Sequence, residues 1–484
     1  MLELATDFLW TWVLITVLIV IGMVFTVGSR FVQIRYFAEM FRVLGQAFRH
    51  QPGRVSSFQA LTLSVAGRVG AGNVAGVAVA IALGGPGAVF WMWVVGLIGM
   101  ATSFFECSLG QAFKVVDERT ATFRGGPMYY MERGLGSRGT AMCFTLLLLF
   151  TFGLAFVALQ SFTASSSLEE AFGIPVHVTG IAMTAIVAIT IFGGVQRLSR
   201  VTEIIVPVMA IAYVAVALWV VGLNLGKVPE ALAIIVKSAF GLDSAVGGGI
   251  GAAIMMGVRR GLFSNEAGLG SAPNVAAVAH VPHPVNQGIV QSFSVFIDTA
   301  IVCTATAMII IIAGMHEHGN IEDGVVLTQL ALEQHVGAWG QIFVSAVLTL
   351  FAFSSILYNF YLGENASSWM SPDNPVFFVV FRLLMLLLVL WGSMQDLTTV
   401  FSFADLTMAL LALFNLVAMA LLMKVGFRLM RDYDSQWRAG RVPVFDPDSF
   451  ADLNIDRKAW LDAADSLEMR TGGRRAVRRP RDGA

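Results

Sequence analysis

The sequence predicts an all-α polytopic membrane protein, an inverted repeat of five plus five helices preceded by one extra N-terminal helix. Three observations predict it. Of 484 residues, 56% are hydrophobic and only 13% charged, with a mean hydropathy of +0.74. A soluble domain cannot hide that much apolar surface. The apolar residues are gathered into eleven runs, against the roughly 20 residues a helix needs to cross hydrocarbon. The second and seventh runs are broken by glycines and charged residues in the middle. Barrel-like alternation with a period of two is absent, which leaves a helical bundle.

In order, the spans are 8–28, 57–83, 86–112, 142–168, 176–195, 202–225, 244–280, 285–314, 338–366, 375–393 and 397–424. Span 1 follows Glu3 and Asp7 rather than basic residues, and no small-residue cleavage site comes after it. It therefore reads as a retained helix and not a signal. The loop 29–56 carries Arg30, Arg35, Arg42, Arg49 and Arg54. Loop 113–141 carries Lys114, Arg119, Arg124, Arg133 and Arg138. The opposite loops hold Glu169 and Glu170, then Glu317, Glu322, Asp323 and Glu333. Basic loops stay in the cytoplasm. The expected topology is N-terminus outside and C-terminus cytoplasmic, in a bacterial inner membrane. Span 244–280 is too long for one regular helix and is interrupted by glycine.

Four regions follow: 1–56, the extra helix and its loop; 57–225, the first repeat; 226–424, the second repeat; and 425–484, a cytoplasmic tail ending "RRAVRRPRDGA". Basic clusters are drawn to anionic lipid. A solvated, partly disordered tail is the plainer expectation.

The interruption in span 2 reads "RVGAGNVAG", Arg68 to Gly76. About 190 residues later span 7 reads "RGLFSNEAG", Arg260 to Gly268, and repeats Arg, Asn, Ala and Gly in register. An odd repeat length makes two copies enter the membrane from opposite sides. That is the pattern of an inverted-repeat secondary transporter, with the site at the first helix of each repeat. Unwound amides there hold a carboxylate and unwound carbonyls hold a cation. The competing reading is close helix packing through small residues. Against it stand Arg68, Asn73, Arg260, Asn265 and Glu266, each costly in lipid.

Four stretches, "RVGAGNVAGVAVAIALGGPGAVFWMWV", "RGGPMYYMERGL", "RGLFSNEAGLGSAPNVAAVA" and "HPVNQGIVQSFSVFIDTAIVCTATAMI", resemble the alanine or glycine:cation symporter family, the sodium:alanine symporters. The resemblance runs from about residue 57 to 370 and is to an atypical member. It implies a leucine-transporter-like inverted repeat, coupling to sodium (sometimes protons), and import of small neutral amino acids. The family's Gly-Thr-Gly-Asn reads Gly70-Ala71-Gly72-Asn73, so the threonine hydroxyl is lost. Gln160 matches a family glutamine. The family's Ala-Phe-Ser-Thr-Ile-Leu-Gly-Trp reads "AFSSILYN", keeping hydroxyls at Ser354 and Ser355 but placing Tyr358-Asn359 for Gly-Trp. Phe414 stands for a family proline, and Gly96 where Ser, Thr, Ala or Val is usual.

The expected substrate contacts are Ala71, Gly72, Asn73, Gly76, Gln160, Phe263, Ser264, Asn265, Gly268, Ser355 and Asn359. Sodium, the coupling ion, is expected at Ala66, Gly67, Val69, Ser354 and Ser355. A serine in a membrane helix can instead bond its own backbone. Arg68, Arg260 and Glu266 are candidate gates. Arg68, Arg259 and Arg260 have Glu106, Glu266, Asp298 and Asp405 as candidate partners, in gating or static pairs. Asp298 is also a candidate proton carrier. Phe263 either caps the substrate or packs in the core.

His280 and His283 lie at a predicted turn and lack the further ligands of a zinc site. Trp91 and Trp93 suit an interfacial belt. Cys107, Cys143 and Cys303 read as buried thiols. No catalytic triad, metal cluster or phosphate loop is visible, so neither an enzyme nor an organic cofactor is expected. The expected partners are a small amino acid and the lipid bilayer, with no nucleic acid. The oligomeric state is left open. A different substrate, proton coupling, or a binding module that does not transport remain the alternatives.

Overall fold

The computed structural model describes residues 6, 8–47, 55–117, 122–192, 194–241, 249–317, 324–372 and 374–460. Glu3, Asp7, Arg49, Arg54, Arg119, Glu322, Asp323, the first residues of the expected span 244–280 and the arginine-rich end of the tail lie outside them.

Eight helices among the described residues are long and apolar enough to cross a membrane. A ninth crossing is the bent pair Ser57–Arg68 and Gly72–Gly84, turned by 49°. The remaining two expected spans are Val176–Ile191, a shorter apolar helix, and Ile250–Asn265 followed by Ala272–Val278. Ile250–Asn265 is only 16 residues long and carries Arg259 and Arg260 in its second half, so it does not cross as one regular apolar helix. All eleven expected segments are thus helical. The chain is an all-α polytopic membrane protein whose only sheet, among the described residues, is the antiparallel hairpin of Val115–Asp117 and Thr122–Arg124.

Span 3, Gly87–Ala112, is the central post: 72% of its most apolar window is buried. Small residues let neighbours approach it closely. A Cβ on Gly288 would stand 2.2 Å from Ser108 Oγ, and one on Gly110 would stand 2.7 Å from Pro273 Cβ. Close backbone approach of this kind is how membrane helices gain packing energy without a hydrophobic drive. Spans on the perimeter are buried far less. Arg200–Leu223 and Pro375–Ser393 each bury 28% of their window and present Ile204, Val208, Ile211, Leu383 and Leu387 outward.

Two expected loops carry structure that hydropathy did not signal. Gly324–Val336, in the acidic loop before span 9, is a helix laid against the break in span 2. A Cβ on Gly324 would stand 2.5 Å from the Ala75 carbonyl, and Thr328 Oγ1 donates to the Val74 carbonyl at 3.4 Å. Val228–Ala239, in the expected loop between spans 6 and 7, is a helix that caps span 3. Ser238 Oγ accepts from the Gly87 amide at 3.1 Å, and Trp91 Nε1 donates to the Ala239 carbonyl at 3.3 Å. Trp91 is therefore tied into the protein rather than only anchoring in the interface, and so is Trp93, whose Nε1 donates to Thr304 Oγ1 at 2.8 Å.

Two further expectations need correcting. Cys143 is exposed, unlike Cys107 and Cys303, because it faces outward from the Arg138–Leu148 helix. The tail is not loose over its described part. Met423–Arg438 is a helix, and the chain continues folded to Trp460. Leu429, Tyr433, Phe445, Phe450 and Trp460 are buried, because an amphipathic helix with one apolar face packs when a partner face exists. The partner face is built from three places. Arg35 Nη1 reaches Asp434 Oδ2 at 2.9 Å, the Phe445 amide donates to the Pro282 carbonyl at 2.9 Å, and Lys114 Nζ sits 4.0 Å from the Trp460 ring centre.

Candidate functional site

The first break is a short extended step followed by a widened turn. Val69 leaves helical geometry (φ −81°, ψ 93°), and Gly72–Gly76 resumes as a π-helical turn. The backbone donors this frees must find partners in a buried setting. Asn73 Oδ1 accepts from the Gly70 amide at 2.9 Å, and Gln160 Oε1 accepts from the Ala71 amide at 3.2 Å. Glycine is needed here for room. A Cβ on Gly70 would stand 2.5 Å from Ser355 Oγ, and one on Gly72 would stand 3.0 Å from Ser264 Cα.

The second break spans Glu266 to Ser271. Glu266 (φ 54°), Gly268 (φ 93°) and Gly270 (φ 78°) are left-handed. Only glycine adopts that region without strain, so Glu266 must be held there. Its carboxylate accepts from Ser271 Oγ at 2.6 Å and from Tyr358 Oη at 3.0 Å. Asn265 Oδ1 accepts from the Ala267 amide at 3.0 Å. Asn415 Nδ2 donates to the Gly268 carbonyl at 2.9 Å, and Glu106 Oε2 accepts from the Gly270 amide at 3.2 Å. The two echoed asparagines therefore do related work: Asn73 and Asn265 each cap their own break.

Between the breaks lies a buried polar knot. Asn73 Nδ2 donates to Asp298 Oδ1 at 2.6 Å and to Ser264 Oγ at 3.0 Å. Ser264 Oγ is 3.0 Å from both Asp298 oxygens, and Thr299 Oγ1 donates to Asp298 Oδ2 at 2.8 Å. Asp298 sits in a π-helical stretch, Phe296–Cys303, which turns it toward both broken helices. Such widened turns recur at functional sites. Phe263 covers the knot from one side. Its ring packs against Phe156 (5.1 Å between centres) and Phe401 (5.8 Å), and lies across Gly72 and Gly76.

The expected cation ligands split. Ser355 Oγ donates to the Ala66 carbonyl at 2.8 Å, joining span 9 to the last regular turn before the break. Ser354 Oγ bonds the Phe351 carbonyl of its own helix at 3.0 Å. Gly67 is covered by the Tyr358 ring, and the Val69 amide still bonds Val65. Ser355, Ala66 and Gly70 are thus brought together, while Ser354 points back to its own backbone. Gly268 is held through its carbonyl by Asn415 and makes no contact with Asn73 or Ser264 among the described hydrogen bonds.

The gating residues also divide. Arg260 forms a close ion pair with Asp405, and Arg259 is 3.7 Å from the same carboxylate. Arg68 makes no ion pair among the described residues. Its guanidinium bonds the Gln291 carbonyl at 3.1 Å, Ser103 Oγ at 3.0 Å and the Ser294 hydroxyl. The expected pairing of Arg68 with Glu106, Glu266 or Asp298 is therefore not formed; hydroxyl and carbonyl groups of spans 3 and 8 take its donors instead. Tyr358 donates its hydroxyl to Glu266, whereas Asn359 is buried and its side chain makes no hydrogen bond among the described residues. Sequence reasoning missed Asn415 and the bridging role of Glu106. Their pairing links positions 309 residues apart, which no local pattern records.

Comparison with known proteins fits this geometry. Residues 1–447 match the sodium:alanine symporter family. The chain is 44% identical over 462 residues to the amino-acid carrier protein AlsT of Bacillus subtilis, covering 96% of this chain and 97% of that one. It is 44% identical over 452 residues to the probable sodium/glutamine symporter GlnT of the same organism, covering 93% and 94%. A crystal structure of a manganese transporter mutant from Eremococcus coleocola shares the fold, with TM-score 0.52 and 13% identity over 87% of this chain and 88% of that one. With two interrupted helices facing each other across a buried polar knot, and relatives matched along nearly their whole length, the chain belongs to the sodium:alanine symporter family, a family of membrane transporters and not of enzymes.

Proposed function

We propose that the protein is a sodium-coupled symporter that imports a small neutral amino acid by alternating access. The observation that carries this reading is the contact of Asn73 Nδ2 with Ser264 Oγ at 3.0 Å, which joins the two interrupted helices beside their breaks. A zwitterion needs anion-binding amides and cation-binding oxygens within one cavity, and two facing breaks supply both. The Gly70 and Ala71 amides, now held by Asn73 and Gln160, would turn to the substrate carboxylate. Sodium would bind the Ala66 carbonyl and Ser355 Oγ, both hard oxygen ligands. Phe263 would close over the substrate side chain. The N-terminus lies outside and the basic loops in the cytoplasm, with repeats at 57–225 and 226–424.

Alanine or glycine is the default substrate. A second reading is a larger neutral amino acid with an amide side chain. It is favoured by Asn359, a buried amide with no hydrogen bond among the described residues, one turn along from Ser355.

The test is uptake into proteoliposomes. An inward sodium gradient should drive accumulation of labelled alanine, glycine or glutamine, and replacing sodium by potassium should abolish it. Uptake driven equally by a proton gradient without sodium would show proton coupling. Ligand-induced thermal stabilisation with no flux would mark a binding module instead.

A further inference from the structure

Where span 1 ends, the chain turns through two consecutive left-handed residues, Arg30 (φ 56°) and Phe31 (φ 58°). The turn is pinned by Ser29, whose hydroxyl donates to the Thr26 carbonyl at 3.1 Å and accepts from the Val32 amide at 3.2 Å. The C-terminal helix Met423–Arg438 lies directly against this turn. A Cβ on Gly28 would stand 2.5 Å from Phe427 Cζ. Between them is a cavity of about 530 Å³.

Four arginines line it, Arg30, Arg35, Arg431 and Arg438, with the hydroxyl-bearing Ser29 and Ser435. One acid, Asp434, faces them. Four positive charges against one negative leave a net charge of +3 in the cavity wall. Asp434 is already committed, with one oxygen taken by Arg35 Nη1 at 2.9 Å and the other by the Tyr36 hydroxyl. Arg35 is mostly buried, yet its Nε and Nη2 have no hydrogen-bond partner. The Arg30 and Arg438 side chains make no hydrogen bond or ion pair among the described residues. Arg431 uses only Nε, on the Phe427 carbonyl at 3.3 Å. A convergent set of guanidinium groups with unspent donors matches the tetrahedral oxygens of a phosphate better than any neutral ligand.

The rim indicates what carries the phosphate. Val27, Phe31 and Ile34 flank the cavity residues in sequence and are 57%, 49% and 72% exposed. They stand at the membrane end of span 1, where acyl chains would lie. We propose that this cavity is a binding site for the phosphodiester headgroup of an anionic phospholipid, which clamps the C-terminal helix onto the end of span 1. A free phosphate offers the same chemistry to the arginines but nothing to the apolar rim.

The test uses the full-length protein purified in a neutral detergent. Thermal unfolding and native mass spectrometry are followed with short-chain phosphatidylglycerol, short-chain phosphatidylcholine or inorganic phosphate. The expected result is a rise of several degrees and retained lipid with phosphatidylglycerol alone. The variant Arg30→Gln/Arg431→Gln/Arg438→Gln changes only exposed side chains. It should match the wild-type unfolding temperature without lipid and lose at least tenfold in apparent affinity for phosphatidylglycerol. Lys424→Gln removes a charge from the same helix outside the cavity and should keep wild-type binding. Equal response to the two lipids, or undiminished binding by the triple variant, overturns the site. A full response to inorganic phosphate overturns the lipid as its carrier. Should the triple variant unfold early, Arg30→Gln and Arg431→Gln measured singly provide the same comparison.

Discussion

Ser355 Oγ lies 2.8 Å from the carbonyl oxygen of Ala66, while its neighbour Ser354 bonds its own helix at Phe351. Only one of two adjacent hydroxyls therefore reaches the broken helix. Ser355→Ala should weaken sodium activation far more than Ser354→Ala. Losing one ligand to a charged group costs about 1.5–3 kcal/mol, roughly tenfold to a hundredfold in half-saturating sodium. Ser354→Ala should shift it by less than about twofold. Sodium titration of uptake in both variants checks this, and equal effects would remove Ser355 from the cation site.

The glycines of the first break make a sharper comparison. A Cβ at Gly70 meets Ser355 Oγ at 2.5 Å and Gln160 Nε2 at 3.1 Å, whereas at Gly76 the nearest atom is Phe263 Cδ1 at 3.5 Å. The first is a clash with two site residues and the second is ordinary contact. Gly70→Ala should abolish uptake, and Gly76→Ala should retain most of it. Both proteins should reach the membrane in similar amounts, since overpacking of one methyl costs about 1–3 kcal/mol.

The breaks were legible because glycine and charge inside an apolar run are conspicuous against the cost of polar groups in lipid. Ser355 was legible only through resemblance to a family. What escaped the sequence was long-range. Asp298 was seen as a charge needing an arginine, but it is held by Asn73, Ser264 and Thr299. The helix Gly324–Val336 packs on the first break through Gly324 and Thr328, and neither residue announces a membrane contact. The tail's buried face was hidden by its arginines, because a helix with one polar face reads as soluble until its partner face is known.

Tyr358 couples the two breaks directly. Its ring covers Gly67 and its hydroxyl donates to Glu266 at 3.0 Å. Tyr358→Phe keeps the ring and deletes the donor to a buried carboxylate, at a cost of about 1–3 kcal/mol. The purified variant should unfold a few degrees below the wild type. An unchanged unfolding temperature would mean that Ser271 alone suffices to hold Glu266.

His283 gives a pH dependence outside the spans. It is fully buried, with Nδ1 accepting from the Val285 amide at 3.2 Å and Nε2 facing Asp432 at 3.0 Å. The ring of Tyr433 packs against it at 5.2 Å. Burial lowers its pKa below the usual 6.5, more than the Asp432 bond raises it. The unfolded chain therefore binds the proton more readily, and stability falls as pH drops through about 6.5. His283→Gln should flatten the loss of thermal stability between about pH 7 and pH 5. A wild-type slope in the variant would place the titrating group elsewhere.

Arg260 pairs with Asp405 above the rings of Phe263 and Phe401; the Arg260 guanidinium lies 4.7 Å from the Phe401 ring centre. Trp10 of the extra helix joins them by donating to the Asp405 carbonyl at 3.1 Å. Asp405 is the ionic partner of Arg260 among the described residues, so Asp405→Asn leaves the Arg260 cation buried without its counter-charge. Breaking a buried pair from one side costs about 3–5 kcal/mol. Asp405→Asn should therefore lower stability and transport together. Adding Arg260→Gln removes the stranded charge and should recover stability. Transport should stay low in the double variant if the pair works as a latch that forms and breaks in each cycle. Recovery of both would show a static pair, and the latch would then lie in the Phe156, Phe263 and Phe401 rings alone.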